Sequence, residues 1–150
     1  MDYGITTLKK KGENQDIYYY VNWSPLSKAD RWEINAKVPA VAGIFEIYWV
    51  DDTKHLRMYN VGQTYYGGLR SEIRRLTDPE LCADPQARAF LENKEMWYRY
   101  ATTNSTADMA DVVWFFMNTY FPEKTLVEHS GRYQNIFIKE SEPDKLVWVP

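Results

Sequence analysis

The chain has 150 residues, carries a formal net charge of −3 at pH 7, and is 45% hydrophobic and 16% aromatic. Its length predicts a single domain, and the lack of both a long apolar run and a signal-peptide pattern argues against a membrane partner. A lone cysteine, Cys82, excludes an intrachain disulfide, so we expect a cytoplasmic protein. The acidic balance disfavours strong non-specific binding to nucleic acid unless a basic face is present locally.

Two strands are predicted at the start of the chain, over Ile5–Lys11 and Asp16–Asn22, with a turn at residues 12–15 between them. The lysines at 9–11 are typical of an exposed edge strand, and a phosphate-contacting patch is the alternative. Because side chains alternate along a strand, the tyrosines at 18–20 place rings on both of its faces. One face must be covered by something other than the main sheet, or remain available to a partner.

A hairpin followed by a basic helix forms the middle of the chain. Residues 23–40 lead to it as a connection, with a short helical turn predicted near 28–32. Gly43–Val50 and 56–61 are rich in β-branched and aromatic residues and flank a polar turn, which is the pattern of an antiparallel hairpin. Residues 69–76 then place leucine and isoleucine on one helical stripe and arginines off it.

Three short motifs in this region resemble the core of the GIY-YIG nuclease superfamily. They are Gly43-Ile44-Phe45, Asn60-Val61-Gly62 and Leu69-Arg70. The resemblance extends over residues 41–122 and implies an α+β fold with a three-stranded antiparallel sheet packed with helices. It also implies that Arg70 faces the two motif strands, that a motif tyrosine acts on the attacking water, and that a glutamate on a later helix holds a divalent metal.

Helices and strands after the motifs complete the predicted α+β fold, with extra strands at both termini extending the sheet. Asp78 and Asp84 each precede a proline and indicate capped helix starts. Ser105 indicates the start of a long apolar helix that we expect to be central and buried. The later elements are a helix at residues 85–95, a third strand beside the hairpin at Met96–Thr102, the apolar helix at 104–122, and a terminal hairpin formed by 135–139 and 145–149.

The tyrosine and arginine positions of the family are only partly retained. Arg70 is present, and its guanidinium suits a phosphate. The first motif tyrosine is replaced by Phe45, which has no hydroxyl, and the second by Asn60. Tyr59 is adjacent, and a β-bulge would rotate it into the site. Tyr48 should point to the face opposite Phe45, which makes it a poor substitute.

The metal position of the family is not retained. It falls on Val113, which cannot bind a metal. We expect the nearest carboxylates, Asp108 and Asp111, to be a helix cap and a solvent-facing helix residue. No metal site and no cofactor are therefore predicted, and Mg²⁺ or Mn²⁺ would be required only by an active nuclease.

Two hypotheses about function remain open. The first is a GIY-YIG-like domain with a degenerate active site, which binds DNA or RNA, or binds a protein partner or a second copy through exposed aromatic rings. The second is an active metal-dependent endonuclease that uses Tyr59, Arg70 and a carboxylate such as Asp111 or Glu128. A Tyr59 side chain directed towards Arg70 would favour the enzyme.

Basic and aromatic residues around the predicted helix are the candidate contacts to nucleic acid. They are Arg70, Arg74, Arg75, Tyr65 and Tyr66. A solvated helix surface, with Glu72 as a neighbour of the arginines, is the alternative interpretation.

Overall fold

The computed structural model describes residues 3–11, 16–124 and 127–141, and for residues 8–11 and 124 it describes the backbone alone. Within these ranges the chain forms strands, α-helices and two short 3-10 helices, at Pro79–Leu81 and Pro122–Lys124. The strands are β1 (Ile5–Lys11), β2 (Asp16–Asn22), β3 (Ser27–Lys28), β4 (Gly43–Val50), β5 (Leu56–Thr64), β6 (Met96–Thr102) and β7 (Asn135–Ser141). The helices are α1 (Arg31–Lys37), α2 (Gly68–Thr77), α3 (Pro85–Asn93) and α4 (Thr106–Tyr120).

The central sheet has the strand order β3-β6-β4-β5 and is antiparallel throughout. The predicted hairpin is β4 with β5, and β6 lies on the other side of β4 as the predicted third strand. The motif residues face each other across the hairpin, since Phe45 pairs with Gly62. The α+β class is confirmed.

The terminal strands form a second sheet with the order β1-β2-β7. Both strands at the N-terminus have the predicted bounds, and β1 lies at an edge as its lysines indicate. β7 runs parallel to β2, so residues more than a hundred positions apart form one ladder. The sequence predicts strands at both termini as an extension of the main sheet rather than as a second sheet, and it contains no signal for the pairing of β2 with β7. The predicted strand at 145–149 lies outside the described residues.

Two cores lie on opposite faces of the central sheet, because successive side chains of β4 alternate between them. Ile44 belongs to the first core and Phe45 to the second. The first core combines α4 and the second sheet, and the second core combines α1, α2 and α3. The α4 helix is therefore buried as predicted on the face that carries Val112, Val113 and Phe116. No helix of the described ranges is long and apolar enough to cross a membrane.

The helical turn predicted at 28–32 is misplaced. Residues 27–28 form β3, which pairs with β6, and α1 begins only after Asp30. The Asp30 carboxylate accepts hydrogen bonds from the backbone N–H groups of Trp32 and Glu33, at 2.8 and 3.2 Å. This capping fixes the start of the helix, because an aspartate at this position satisfies donors that the first turn leaves free.

Candidate nucleic-acid interface

The position of the first motif tyrosine is part of the hydrophobic core. Phe45 is only 2% exposed and packs in the second core. A Cβ atom added to Gly62 would lie 2.8 Å from Phe45 Cζ, so the glycine is needed to accommodate the ring. Tyr48, as predicted, lies on the other face, where its hydroxyl donates to buried Glu46. Neither side chain presents a hydroxyl to a surface beside Arg70.

The position of the metal-binding glutamate is also part of a core. Val113 is 3% exposed and packs in the first core, on the face of the central sheet opposite α2. Among the described residues, no group of three or more histidine, cysteine, aspartate or glutamate side chains is arranged to hold a metal ion. Glu128 is exposed and lines a cleft of about 320 Å³ with Gly62 and Val113.

The description of Asp111 as solvent-facing is wrong. Its side chain is fully buried, with the Tyr19 hydroxyl donating to it at 2.6 Å and the Ser130 backbone N–H at 2.7 Å. Arg132 pairs with both Asp111 and Asp108, at 3.1 and 2.9 Å. These partners lie 19 to 92 residues away along the chain, so helical spacing gave no sign of them. The cluster joins α4 to the second sheet, on the opposite side of the central sheet from α2.

A β-bulge is present at Tyr59, as considered from the sequence. Ile47 pairs with Asn60 and Tyr48 pairs with Met58, which leaves Tyr59 as the extra residue. Its ring stacks on Phe90, with the centroids 5.3 Å apart, and packs against the second core. Burial raises the pKa of the Tyr59 hydroxyl, which makes this group a weaker candidate for activating water at neutral pH.

Arg70 has a different neighbourhood from Tyr59. Its Nε donates to the Val38 carbonyl at 2.8 Å, which holds the side chain between α1 and α2. No carboxylate among the described residues forms an ion pair with it. The guanidinium lines a cleft of about 240 Å³, together with Asn35, Ser71 and Arg74. Arg70 is therefore a half-buried cation, fixed in position, that borders an open cleft.

The other two arginines of the predicted basic face are paired with carboxylates. Arg75 makes a two-pronged contact to Glu72, at 2.7 and 3.0 Å, as expected for a solvated helix surface. Arg74 lies 3.5 Å from both Asp78 and Asn35, which positions it between α1 and the end of α2. Of the three arginines, Arg70 and Arg74 line the cleft and Arg75 does not, so the basic face is smaller than the sequence predicts.

The N-terminus of α2 is closed by the preceding loop. Gly68 has a φ of +79°, and a Cβ atom there would lie 2.9 Å from the Ala40 carbonyl carbon. The backbone N–H groups of Leu69 and Arg70 donate to carbonyls of the loop at residues 39–41, at 2.8 and 3.3 Å. An anion in the cleft would therefore be bound mainly by arginine side chains rather than by these helix amides.

Exposed aromatic rings lie close in sequence to residues that line the cleft, although no ring is among its described lining residues. Tyr65 and Tyr66 precede α2, are 46% and 98% exposed, and contact each other edge to face at 5.1 Å. Trp32 is 75% exposed and lies one helical turn before Asn35, which lines the cleft from α1. The sequence singled out the tyrosines but not Trp32, because residues 28–32 were not expected to begin a longer helix.

A family model described as "Uncharacterised protein" matches residues 7–150. The chain belongs to this family. No curated protein and no solved structure is significantly similar to the chain. The chemistry of the cleft is therefore the basis on which its function is inferred.

Proposed function

We propose that the chain is a GIY-YIG-like module that binds single-stranded nucleic acid without hydrolysing it. The observation that carries the proposal is the position of Arg70, a fixed guanidinium without a carboxylate partner among the described residues, in a cleft whose lining residues lie within three positions of the exposed rings Trp32 and Tyr66 along the chain. A guanidinium suits a phosphate, and aromatic rings provide stacking surfaces for unpaired bases. These two chemistries together distinguish a nucleic-acid cleft from an ordinary solvated helix.

The geometry favours binding over hydrolysis. The residues at the tyrosine and metal positions, Phe45 and Val113, are buried in different cores. The carboxylates of α4 lie across the central sheet from Arg70. Phosphodiester hydrolysis needs charge stabilisation and proton transfer at one phosphate, and within the described ranges these groups do not converge on the Arg70 cleft.

A protein interface is the second candidate, because Tyr66 and Trp32 are unusually exposed for rings of their size. Tyrosine and tryptophan are enriched at protein interfaces, including those between two copies of one chain. A protein partner would depend on the rings and only weakly on salt. Nucleic acid would depend on Arg70 and strongly on salt.

The test is binding of a short fluorescent single-stranded oligonucleotide, measured by anisotropy between about 50 and about 200 mM salt. We expect the affinity to fall as the salt concentration rises. In the Arg70→Ala variant, the slope of log K against log salt concentration should be smaller in magnitude by about 0.7, the value for one lost phosphate contact on a single strand. Arg88→Ala, which removes an exposed arginine from α3, is the matched control and should bind like the parent protein. An equal loss of oligonucleotide affinity in the two variants, or no binding by the parent protein at low salt, would contradict the proposal.

A further inference from the structure

A second cavity of about 180 Å³ lies between α1 and the C-terminal part of α2. Arg74 lines both this cavity and the Arg70 cleft, so it forms the boundary between them. The start of the 3-10 helix at Pro79–Leu81 contributes Pro79 to the lining of the second cavity. Its lining residues come from α1, α2 and the segments next to them, and are Ala29, Arg31, Ile34, Arg74, Thr77, Asp78 and Pro79.

Two buried polar atoms in residues that line this cavity have no hydrogen-bond partner within the described protein. They are Arg74 Nε, a donor, and Asp78 Oδ2, an acceptor. Asp78 is 7% exposed, and its other oxygen, Oδ1, accepts from Arg31 and from the Glu80 backbone N–H, at 3.2 and 3.0 Å. Oδ2 lies 3.5 Å from Arg74 Nη2, so the two side chains form an ion pair, but the contact does not meet the geometry of a hydrogen bond.

Unsatisfied buried donors and acceptors are rare in folded proteins, because each one costs free energy. Here the donor and the acceptor belong to the two residues of one ion pair, Arg74 and Asp78, and Ala29 and Ile34 add hydrophobic side chains to the lining. A ligand that satisfies both atoms must present an acceptor next to a donor on a flat, partly apolar group. The edge of a nucleobase has this arrangement. The volume equals that of about six water molecules, which suits one base rather than a folded peptide segment.

We propose that this cavity binds the base of a nucleotide whose phosphate is held at Arg70. The inference rests on the proposed function of the Arg70 cleft. Arg70, Arg74 and Asp78 follow one another at intervals of four residues along one side of α2 and its C-terminal end, so the first and last are about 12 Å apart along the axis. This distance is comparable with the length of one nucleotide from its phosphate to the pairing edge of its base. The site thus recognises a single unpaired nucleotide.

The experiment compares two small ligands with the same phosphate, ribose 5-phosphate and the nucleoside 5′-monophosphates, by NMR titration of the full chain. We expect at least one monophosphate to bind about tenfold more tightly than ribose 5-phosphate, because a two-contact base pairing contributes this order of discrimination. Asp78→Asn preserves the side-chain shape and Oδ1 but replaces the free acceptor. It should abolish or reorder the preference for a base and leave ribose 5-phosphate binding unchanged.

Two further variants keep the test informative. Arg74→Lys retains the charge but removes Nε, so it should reduce the same preference even if Asp78→Asn folds poorly. Glu80→Gln is the control, because Glu80 also pairs with Arg31, at 2.8 Å, but its exposed side chain does not line the cavity. It should behave like the parent protein.

The outcomes separate the two proposals. If ribose 5-phosphate and every monophosphate bind equally and Arg70→Ala weakens them all, the base site is wrong while the phosphate site stands. If neither type of ligand binds, or if Arg70→Ala changes nothing, the proposed function fails and the base site fails with it.

Discussion

Arg99 shows how the surroundings of a single residue decide whether a charge stabilises the fold. Its side chain is only 2% exposed, and its Nη2 lies 2.6 Å from Glu46 Oε1 and 3.5 Å from Glu140 Oε1. Its guanidinium also lies over the Trp23 ring, 4.4 Å from the centroid. Glu46 is completely buried, so the carboxylate has exchanged water for Arg99 and the Tyr48 hydroxyl. Such a pair tolerates the loss of neither partner.

Replacing Arg99 with leucine should lower the free energy of unfolding by about 3–5 kcal/mol, because Glu46 would remain buried without its cation. Urea unfolding followed by tryptophan fluorescence measures this change. Arg57→Leu is the matched control, since Arg57 pairs with Asp51 on the surface and its side chain is 60% exposed. The control should change stability little. A loss in Arg99→Leu as small as that in the control would show that the buried pair contributes nothing.

Single residues were predictable where their role follows from chain position. The position of Arg70 on the helix after the hairpin followed from its spacing, and the bulge at Tyr59 from the mismatch between the motif and its tyrosine. The contact of Arg31 with Asp78 and the buried state of Asp111 did not follow, because both involve partners from distant segments. The prediction that Asp78 caps a helix is confirmed, because its Oδ1 accepts a hydrogen bond from the Glu80 backbone N–H. Its Oδ2 takes no part in the cap.

At the scale of elements, α4 is fixed to the second sheet by a polar cluster as well as by its apolar face. Asp111 accepts hydrogen bonds from Tyr19 on β2 and from the segment that leads to β7. Arg132 joins the same cluster and also contacts Asp108. These contacts set the orientation of a helix whose hydrophobic residues alone would permit some rotation.

Asp111→Ala should therefore destabilise the second sheet specifically. It leaves the Ser130 N–H without its acceptor and leaves the buried Tyr19 hydroxyl with only its longer contact to Asp108, at 3.2 Å, and a buried polar group that loses its partner costs about 1–3 kcal/mol. Hydrogen exchange should accelerate in β2 and β7 more than in the central sheet. Asp108→Ala, one turn earlier and partly exposed, should have a smaller effect. Equal acceleration across both sheets would contradict this role of the cluster.

The elements themselves were largely predictable, because alternating and helical patterns are local properties of the sequence. The bounds of β1, β2, β4 and β6 agree with the patterns, and α4 begins after its serine cap. The parallel pairing of β2 with β7 was not predictable, since no turn or spacing connects two strands so far apart. The start of α1 was missed because β3, only two residues long, precedes it in a segment read as a connection.

For the whole molecule, the decisive feature is the central sheet that separates two surfaces. One side carries Arg70, Arg74 and the exposed rings near the start of α2, and the other carries the α4 carboxylates, the buried Asp111 and the partly exposed Asp108. Binding of a phosphate lowers no barrier unless the same groups bind the transition state more strongly. A chain with this separation is suited to recognition, and we expect no cleavage of DNA or RNA in the presence of Mg²⁺ or Mn²⁺.

The most direct test of binding without hydrolysis follows one labelled oligonucleotide through both steps. The single strand is incubated with the protein and Mg²⁺ or Mn²⁺, its binding is measured by anisotropy, and its length is then measured on a denaturing gel. We predict salt-dependent binding that Arg70→Ala weakens and Arg88→Ala does not, with the strand recovered at full length. Cleavage by the parent protein that disappears in Arg70→Ala would contradict the account, as would the absence of binding at low salt.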